Sequence, residues 1–373
     1  MPIKGHATLE GTARYRERFK ERAAAHHFRL EQNLWLSSVG IGTYLGDWDE
    51  RTDRLYTESV ARAVELGANV IDTAANYRFQ RSERSIGAAL ENLTGSGICA
   101  RDEVVVCTKG GYLPFDTEPP RDARRYVEET FVRPGLAQFS DFAGGSHCMT
   151  PGYLQSQIDQ SLKNLRLSTV DVYYVHNPES QLGAVSREEF ERRLRAAFEL
   201  FERNIADGKI RMYGAATWNG FRVSEDSREY LSLARVVEIA REAAGGDAHG
   251  FRFVQLPFNL AMPEALVAAN QWVEGEQVSL VEAAGALGVT VVASASILQG
   301  KVARGLPEHI REPLGSLATD AQTAIQFVRS APGVTSALVG MSRREHVEEN
   351  LKLARVEPVR PEDFQRLFDG DEE

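Results

Sequence analysis

Eight short apolar runs of strand type recur along the chain, and segments with helical periodicity lie between them. The runs fall in the stretches SSVGIGT, NVIDT, VVVCT, VDVYYVH, RMYGAAT, FVQLP, VTVVASA and SALVG. Strands that alternate with helices are typical of a parallel sheet, and eight such units form a closed (β/α)8 barrel of about 250 residues or more. The sequence therefore predicts the α/β class and a single TIM-barrel domain over residues 1–373.

Two segments make the chain longer than a minimal barrel. Residues 1–33 form an N-terminal extension, and residues 110–149 separate the third run from the helix that follows it. Loops longer than about 15 residues are uncommon unless they are functional or disordered. Because residues 110–149 follow the C-terminal end of a strand, where barrel sites form, we predict that they form a lid. A passive ordered elaboration is the alternative.

Turn and cap residues mark the ends of several elements. Thr150 is a predicted N-cap, and Ser186 with Glu189 has the spacing of a capping box. A late helix is predicted to begin at Ser342. The glycines of GIGTYLG, residues 40–46, do not have the spacing of a dinucleotide-binding loop, so this stretch predicts a strand and a turn.

Charge and composition exclude several classes of partner. The net charge is −10 at pH 7, so no basic excess favours nucleic acid or an anionic membrane surface. The N-terminus lacks the apolar core of a signal peptide, and no run reaches the roughly 18 apolar residues of a membrane span. Three cysteines without a C-x-x-C motif indicate reduced thiols, and His147 with Cys148 lacks a second pair to complete a metal site. We predict a cytoplasmic protein without a metal, and nothing favours one oligomeric state.

Polar side chains follow three successive runs at the end where a barrel site forms. Asp72 and Tyr77 follow the second run, Lys109 the third and His176 the fourth. A nearby ammonium lowers the pKa of a phenol from about 10. We therefore expect Lys109 to lower the pKa of Tyr77, and Asp72 to form an ion pair that keeps Lys109 charged and in place. His176 is expected to bind the oxygen of a carbonyl substrate, which Tyr77 protonates. Singly, each residue has a structural alternative as a turn, cap, packing or surface residue.

Longer motifs around these positions follow one another in a characteristic order: GIGTYLG, VIDTAANY, VVVCTKGG, DVYYVHNP, IRMYGAAT, FVQLPFN and SALVGMSRREHVEENLKLA. In this order they resemble the aldo-keto reductase family, from Leu34 to Ala354. An aspartate, a tyrosine, a lysine and a histidine form the catalytic tetrad of that family, and they match the four residues named above. The resemblance implies an oxidoreductase that uses NAD(P)H to reduce an aldehyde or ketone, with sugar-related carbonyl compounds among the candidates, to an alcohol.

The resemblance also implies where the cofactor binds. The family holds NADPH, less often NADH, in an extended pose across the barrel mouth. Gly42, Thr43 and Asp72 would lie near the nicotinamide, and Gln255 would bind its carboxamide. The other implied cofactor positions, from the nicotinamide to the adenosine half, are Thr217, Ser294, Gly340, Ser342, Arg343, Arg344, Glu349 and Asn350.

The chain departs from the family pattern at several of these positions. Ala216 and Thr217 stand where a Ser-Asn pair is usual, and Ser294 stands where an aromatic ring usually stacks on the nicotinamide. Asn177 replaces the more frequent tryptophan. These changes leave two other functions open, namely a regulatory barrel that senses NADP(H) with little turnover, and an enzyme that uses NAD(P) for internal redox during elimination or epimerisation.

The expected site for the 2′-phosphate of NADPH is also altered. His346 occupies the place of the usual arginine, and Arg343 and Arg344 lie close to it. Either guanidinium can make a bidentate phosphate contact, or both are solvated charges at the start of a helix. NADPH is therefore favoured over NADH, which stays an alternative.

Aromatic side chains near the strand ends are candidates for a substrate pocket. Tyr44, Trp48, Tyr112 and Trp218, with Phe115 beside them, can line such a pocket together with His176. The alternative is that these rings pack the long segment 110–149. The partner predicted for the site is a small-molecule carbonyl compound.

Overall fold

A closed barrel of eight parallel strands forms the centre of the computed structural model, which describes residues 1–368. Along this part of the chain the strands are β1 (Phe28–Glu31), β2 (Leu34–Ser37), β3 (Val39–Gly42), β4 (Val70–Asp72), β5 (Val105–Gly110), β6 (Val170–His176), β7 (Ile210–Ala216), β8 (Phe251–Pro257), β9 (Ala269–Val273), β10 (Glu276–Ser279), β11 (Thr290–Ser294) and β12 (Val334–Gly340). The barrel closes in the order β3-β4-β5-β6-β7-β8-β11-β12. Each apolar run of the sequence contributes one barrel strand, so the predicted (β/α)8 TIM-barrel fold is confirmed.

Helices surround the barrel and connect its strands. They are α1 (Leu9–Arg18), α2 (Glu50–Glu65), α3 (Arg81–Gly95), α4 (Ala123–Val127), α5 (Pro151–Leu165), α6 (Arg187–Ala206), α7 (Leu233–Ala244), α8 (Glu264–Val267), α9 (Leu280–Ala286), α10 (Glu308–Arg311), α11 (Asp320–Ser330), α12 (Arg344–Asn350) and α13 (Pro361–Gln365). In α2, for example, Tyr56, Val60 and Val64 recur every four residues and are all buried, which is the pattern of a helix that packs one face on a sheet.

The predicted helix starts are correct at two places and wrong at a third. Thr150 is the N-cap of α5, and the Ser186 hydroxyl accepts a hydrogen bond from the Glu189 backbone N–H at the start of α6. However, α12 begins at Arg344, not at Ser342. Arg343 still has extended dihedral angles, because the chain must leave the end of β12 before it can turn into the helix.

A hairpin closes the N-terminal end of the barrel. β1 and β2 pair antiparallel, and their turn places Gln32 and Asn33 in the left-handed region, with φ of 49° and 58°. Leu34 and Leu36 of β2 belong to the same buried cluster as the inward-facing residues of the barrel strands. The boundary predicted at residue 33 thus falls within the hairpin turn, and β2 belongs with the extension that caps the barrel floor.

The segment 110–149 has three short helical elements and contacts with the helical layer. It contains α4, one π-helical turn over Glu128–Val132 and a short 3-10 turn over Phe139–Asp141. The rings of Phe131 and Phe142 pack on Tyr153 of α5, with centroid distances of 4.8 and 5.4 Å. The segment is therefore anchored on the helical layer, and its function as a lid stays a prediction.

Two more sequence expectations concern the rest of the chain. Cys99, Cys107 and Cys148 are buried and form no disulfide with one another. Within residues 1–368, no helix combines the length and apolar character that a membrane crossing requires. The acidic end of the chain, residues 369–373, lies outside the described residues.

Candidate active site

The ends of β4 and β5 place an acid and an amine in direct contact. Asp72 is the last residue of β4, and Lys109 lies near the end of the neighbouring β5. Lys109 Nζ donates to Asp72 Oδ2 at 2.6 Å and to the Thr73 carbonyl oxygen at 2.7 Å. Both side chains are almost completely buried. A buried ion pair of this kind is costly to disrupt, because removal of one partner leaves the other charge uncompensated.

Tyr77 lies in the turn after β4, above this ion pair. Lys109 Nζ is 4.9 Å from the centroid of the Tyr77 ring. The turn continues through three consecutive residues with positive φ, Arg78, Phe79 and Gln80. The buried side chain of Arg78 holds the turn in this strained form, since it donates to the Asp47 carbonyl oxygen at 2.8 Å. This turn places the phenol next to the Lys109 ammonium.

Burial and charge shift the pKa values of these three groups. Burial raises the pKa of Asp72, although the Lys109 ammonium and the hydrogen bonds to the carboxylate oppose this shift. For Lys109, burial lowers the pKa, but Asp72 and Tyr77 together raise it above the ordinary value. For Tyr77, burial raises the pKa more than Lys109 lowers it. Lys109 thus acts in the expected direction, but the expected net decrease in the Tyr77 pKa is wrong because burial outweighs it. Tyr77 keeps its proton at neutral pH.

His176, the last residue of β6, completes the group. Its ring centroid lies 5.7 Å from that of Tyr77 and 5.1 Å from that of Tyr112, both in edge contacts. Its Nδ1 is buried and has no hydrogen-bond partner among residues 1–368. Burial, followed by the positive charge of Lys109, holds the pKa of His176 well below its usual range. The imidazole is therefore neutral at neutral pH.

The predicted nicotinamide contacts also meet at this end of the barrel. Gly42 of β3 is in register with Asp72 of β4 on one side and with Gly340 of β12 on the other. Thr43 is buried, and its hydroxyl donates to the Asp72 carbonyl oxygen at 3.2 Å. Gln255 of β8 donates its side-chain amide to Asp72 Oδ1 at 2.8 Å. The structure thus joins these residues to the Asp72–Lys109 pair in one continuous rim.

Two other residues predicted near the nicotinamide lie at neighbouring strand ends. Thr217 follows β7, and its hydroxyl is buried without a hydrogen-bond partner in the described part of the chain. Ser294 is the last residue of β11 and is partly exposed.

The residues predicted for the adenosine half lie in the turn before α12 and along α12 itself. Arg343 is exposed and forms no ion pair with any residue of the range 1–368, whereas Arg344 pairs with Glu348 at 3.0 Å. Glu349 accepts a hydrogen bond from Thr319 at 3.0 Å. Asn350 is buried, and its Oδ1 has no partner within the described residues. Ser342 lies just before the helix and is partly exposed, and His346 is exposed on its surface.

Aromatic side chains border the mouth of the site. Tyr44, Trp48 and Trp218 are 57%, 51% and 44% exposed, which is high for large rings. Tyr44 makes an edge contact with Tyr77 at 5.0 Å between centroids. Trp48 packs on Phe79, and Phe115 contacts Phe79 and Tyr126. Phe115 therefore packs the segment 110–149, whereas Tyr44 is next to the predicted proton donor.

One buried acid near the site has no counterpart in the predictions. Glu179 lies just after β6, and its Oε1 accepts hydrogen bonds from the backbone N–H groups of Trp218, Asn219 and Gly220 at 2.6, 3.0 and 3.3 Å. Burial raises the pKa of Glu179, although these donors oppose the shift. The carboxylate holds the loop that carries Trp218. The one sequence signal for this contact is the position of Glu179, a charged residue just after the predicted strand that ends at His176.

The ring of His147 contacts a side-chain amide and a backbone carbonyl group. Its two ring nitrogens contact Gln181 and the His176 backbone, not an acidic or thiol ligand. No group of three or more His, Cys, Asp and Glu side chains within residues 1–368 has the arrangement of a metal site.

Comparison with known proteins places this geometry in a family. The sequence model of the aldo/keto reductase family matches residues 38–239, more than half of the chain. The chain belongs to the aldo/keto reductase family. The enzyme class expected from the sequence, an oxidoreductase, is confirmed at this level, while the functions of the individual residues stay predictions.

Relatives of this aldo/keto reductase cover most of its length. The uncharacterised oxidoreductase YqkF of Bacillus subtilis strain 168 is 23% identical over 338 residues, 90% of this chain and 92% of its own. D-threo-aldose 1-dehydrogenase of a Pseudomonas species is 27% identical over 311 residues, 79% of this chain and 82% of its own. The crystal structure of a Klebsiella pneumoniae aldo/keto reductase in complex with NADP and acetate has a TM-score of 0.60 at 19% identity, and covers 92% of this chain and 94% of that one.

Proposed function

We propose that this protein reduces the carbonyl group of an aldehyde or ketone to an alcohol, with NADPH as the electron source and Tyr77 as the proton donor. One observation carries the proposal. The Tyr77 phenol lies against the buried Lys109–Asp72 pair, and the ring centroid of His176 is 5.7 Å from that of Tyr77. This arrangement can donate a proton and stabilise the anion that remains.

The protein's side chains would share the proton chemistry as follows. Tyr77 donates its O–H proton to the carbonyl oxygen as negative charge develops there. The Lys109 ammonium stabilises the resulting phenolate through its charge, and Asp72 holds the ammonium in place. Neutral His176 donates a hydrogen bond from a ring N–H to the same oxygen. When bound, the reduced nicotinamide supplies the hydride that the carbonyl carbon accepts.

The residues at the predicted cofactor positions fit a dinucleotide. Thr217 and Asn350 each carry a buried side-chain oxygen without a partner in the described residues, and buried polar groups in native proteins are normally hydrogen-bonded. A Cβ added to Gly42 or Gly340 would meet no protein atom closer than 3.9 or 3.8 Å, respectively. Since neither glycine is required by the protein's own packing, both leave room for a ligand along the rim.

The charges at α12 support NADPH over NADH. Arg343 is the exposed guanidinium that has no carboxylate partner within residues 1–368, whereas Arg344 is paired. A free guanidinium is well suited to a phosphate, because it can donate two parallel hydrogen bonds. The cofactor named for the Klebsiella neighbour, NADP, agrees with this choice.

The rings at the mouth support an uncharged substrate such as a sugar-related carbonyl compound. Tyr44 is exposed and makes an edge contact with Tyr77, and Trp218 is exposed in the loop after β7. Exposed rings bind the apolar faces of small molecules. The Pseudomonas relative is named for its action on an aldose. We therefore place small aldoses and keto-sugars first among the candidate substrates.

The test compares the wild-type protein with the Tyr77→Phe variant. Nicotinamide fluorescence measures the binding of NADPH and NADH, and loss of NADPH absorbance measures turnover with a panel of aldehydes, ketones and keto-sugars. We expect Tyr77→Phe to lower turnover by about 10²- to 10⁴-fold, the usual contribution of a general acid, with NADPH binding nearly unchanged. Tyr126→Phe, which removes a hydroxyl bound to the Pro114 carbonyl oxygen in the segment 110–149, is the matched control.

Two other results would support different functions. Binding of NADPH by the wild type without oxidation by any carbonyl compound would favour the sensor or internal-redox functions, which Ala216 and Ser294 leave open. Equal turnover of the wild type and Tyr77→Phe would remove Tyr77 as the proton donor.

A further inference from the structure

The ring of His176 is not oriented by a hydrogen bond from the protein. Neither ring nitrogen has a hydrogen-bond partner among residues 1–368, and Nδ1 is buried. In most functional histidines, a hydrogen bond to one ring nitrogen sets the orientation of the other. Some other contact must therefore hold the His176 ring toward Tyr77.

His147 makes that contact through the main chain. Its Nε2 lies 2.6 Å from the His176 carbonyl oxygen, and its Nδ1 lies 2.9 Å from the side-chain amide nitrogen of Gln181. Gln181 Oε1 accepts from the Arg193 guanidinium at 2.6 Å, and arginine can only donate. This fixes the orientation of the Gln181 amide, whose nitrogen then donates to His147 Nδ1. His147 Nε2 consequently carries the proton and donates to His176.

The ring of Tyr112 links the two histidines. It makes edge contacts with His147 at 5.0 Å and with His176 at 5.1 Å between centroids. Its hydroxyl lies 3.0 Å from Ser180 Oγ and accepts from the Asn177 side-chain amide at 3.3 Å. The His176 imidazole thus contacts the rings of Tyr77 and Tyr112, and the Tyr112 ring in turn contacts His147.

The backbone at Gly111, beside the two histidines, has no room for a side chain. A Cβ added to Gly111 would lie 2.7 Å from His147 Nε2 and 3.1 Å from the His176 carbonyl oxygen. Gly111 has a φ of +143°, which a residue with a side chain rarely adopts. Close approach of β5, His147 and His176 therefore requires glycine at this position.

The segment 110–149 delivers His147 to this position. Its two ends pair antiparallel, with Tyr112 opposite His147, and the Cys148 N–H donates to the Gly111 carbonyl oxygen at 2.9 Å. We propose that His147 is a positioning residue for the reduction, which the segment 110–149 places behind His176 to hold the His176 peptide and the Tyr112 ring. The inference rests on the proposed function and gives the segment a task other than that of a lid. Burial lowers the pKa of His147 to about 4, so the donating neutral form persists at neutral pH.

The test uses His147→Leu, which removes the donor, and His147→Gln, whose amide can donate in its place. His249→Gln, a change at another buried histidine, controls for the general effect of such a substitution. We expect His147→Leu to lower kcat by about 10- to 100-fold, since small misplacement of a catalytic group has effects of this size. The KM for the carbonyl substrate and the NADPH affinity should change little, and His147→Gln should restore most of kcat. Equal kcat in the wild type and His147→Leu, with only a lower Tm, would overturn the proposal.

A second measurement keeps the two proposals separate. If the wild type itself reduces no carbonyl compound, the proposed function fails, and the side-chain NMR signals of His176 then test the positioning alone. A single His176 environment in the wild type and in His147→Gln, with a shifted or broadened signal in His147→Leu, supports it. An unchanged His176 signal in His147→Leu overturns it.

Discussion

Gln255 on β8 donates its side-chain amide to Asp72 on β4, across the mouth of the barrel, at 2.8 Å. Lys109 occupies the other oxygen of the same carboxylate at 2.6 Å. The family resemblance implied that Gln255 binds the nicotinamide carboxamide. The observed bond uses its amide nitrogen, and Gln255 Oε1 accepts no hydrogen bond from residues 1–368. One side chain can therefore support the ion pair and still offer an acceptor to a carboxamide.

This bond makes Gln255 a determinant of stability before any ligand binds. We expect Gln255→Leu to lower the free energy of unfolding by about 1–3 kcal/mol, the usual cost of a buried polar group that loses its partner. Urea denaturation without nucleotide measures this directly. Gln277→Leu, at an exposed position of β10, should change the free energy by less than about 0.5 kcal/mol. Equal unfolding midpoints for Gln255→Leu and the wild type would contradict a stabilising bond to Asp72.

Glu179 should control the mobility of the loop after β7. In Glu179→Ala, three backbone N–H groups lose their shared acceptor, so we expect amide hydrogen exchange in residues 217–220 to become faster. Because this loop carries Trp218, KM for the carbonyl substrate should rise several-fold. Hydrogen exchange by mass spectrometry and steady-state kinetics check the two effects.

A matched control for Glu179→Ala lies in the same loop region. Among residues 1–368, the Glu229 carboxylate accepts only from the side-chain amide of Asn219, at 2.8 Å. Glu229→Gln should therefore leave the backbone exchange of residues 217–220 close to that of the wild type. Faster exchange in both variants would mean that the loop responds to any loss of an acid and not to the loss of the Glu179 contacts.

Arg343 and Arg344 should differ in their effect on cofactor choice. We expect Arg343→Ala to weaken NADPH binding by about 10- to 100-fold, because a hydrogen bond to a charged group contributes about 1.5–3 kcal/mol. NADH binding should change little, since NADH lacks the 2′-phosphate. Arg344→Ala should have a smaller effect on both nucleotides, because Arg344 is paired with Glu348. Fluorescence titration with both nucleotides measures this, and equal losses for NADPH and NADH in Arg343→Ala would exclude a 2′-phosphate contact.

The sequence predicts the strand ends better than the contacts between them. Asp72, Lys109 and His176 could be predicted to converge, because the C-terminal ends of barrel strands share one face. The Gln255–Asp72 bond joins residues 183 positions apart, and the sequence contains no local pattern for it. His147 and Glu179 contact backbone groups of other segments, and residue types alone do not reveal such contacts. The predicted direction of the Tyr77 pKa shift was wrong for a related reason. Burial outweighs the Lys109 charge, and the extent of burial depends on the folded structure, which the sequence does not show directly.

His27 provides the clearest pH dependence of stability. It is buried below the barrel, where its Nε2 donates to the Gly67 carbonyl oxygen at 3.0 Å. Burial, followed by the charge of Arg329, lowers the pKa of His27 from 6.5 to about 3. A histidine with a depressed pKa in the folded state stabilises the fold fully above its unfolded pKa and loses this contribution as the pH falls through the folded value. The loss from His27 should therefore extend from pH 6.5 down to about pH 3, at about 1.4 kcal/mol per pH unit.

The variant His27→Gln isolates this effect. Its amide can still donate to the Gly67 carbonyl oxygen, but it does not titrate. Between about pH 6.5 and pH 4, we expect its free energy of unfolding to fall less steeply than that of the wild type, by about 1.4 kcal/mol per pH unit. Urea denaturation at pH 4.5, 5.5 and 7.0 gives both slopes in one experiment. Because other titrating groups are common to the two proteins, parallel pH dependences would show that His27 takes up no proton on unfolding in this range.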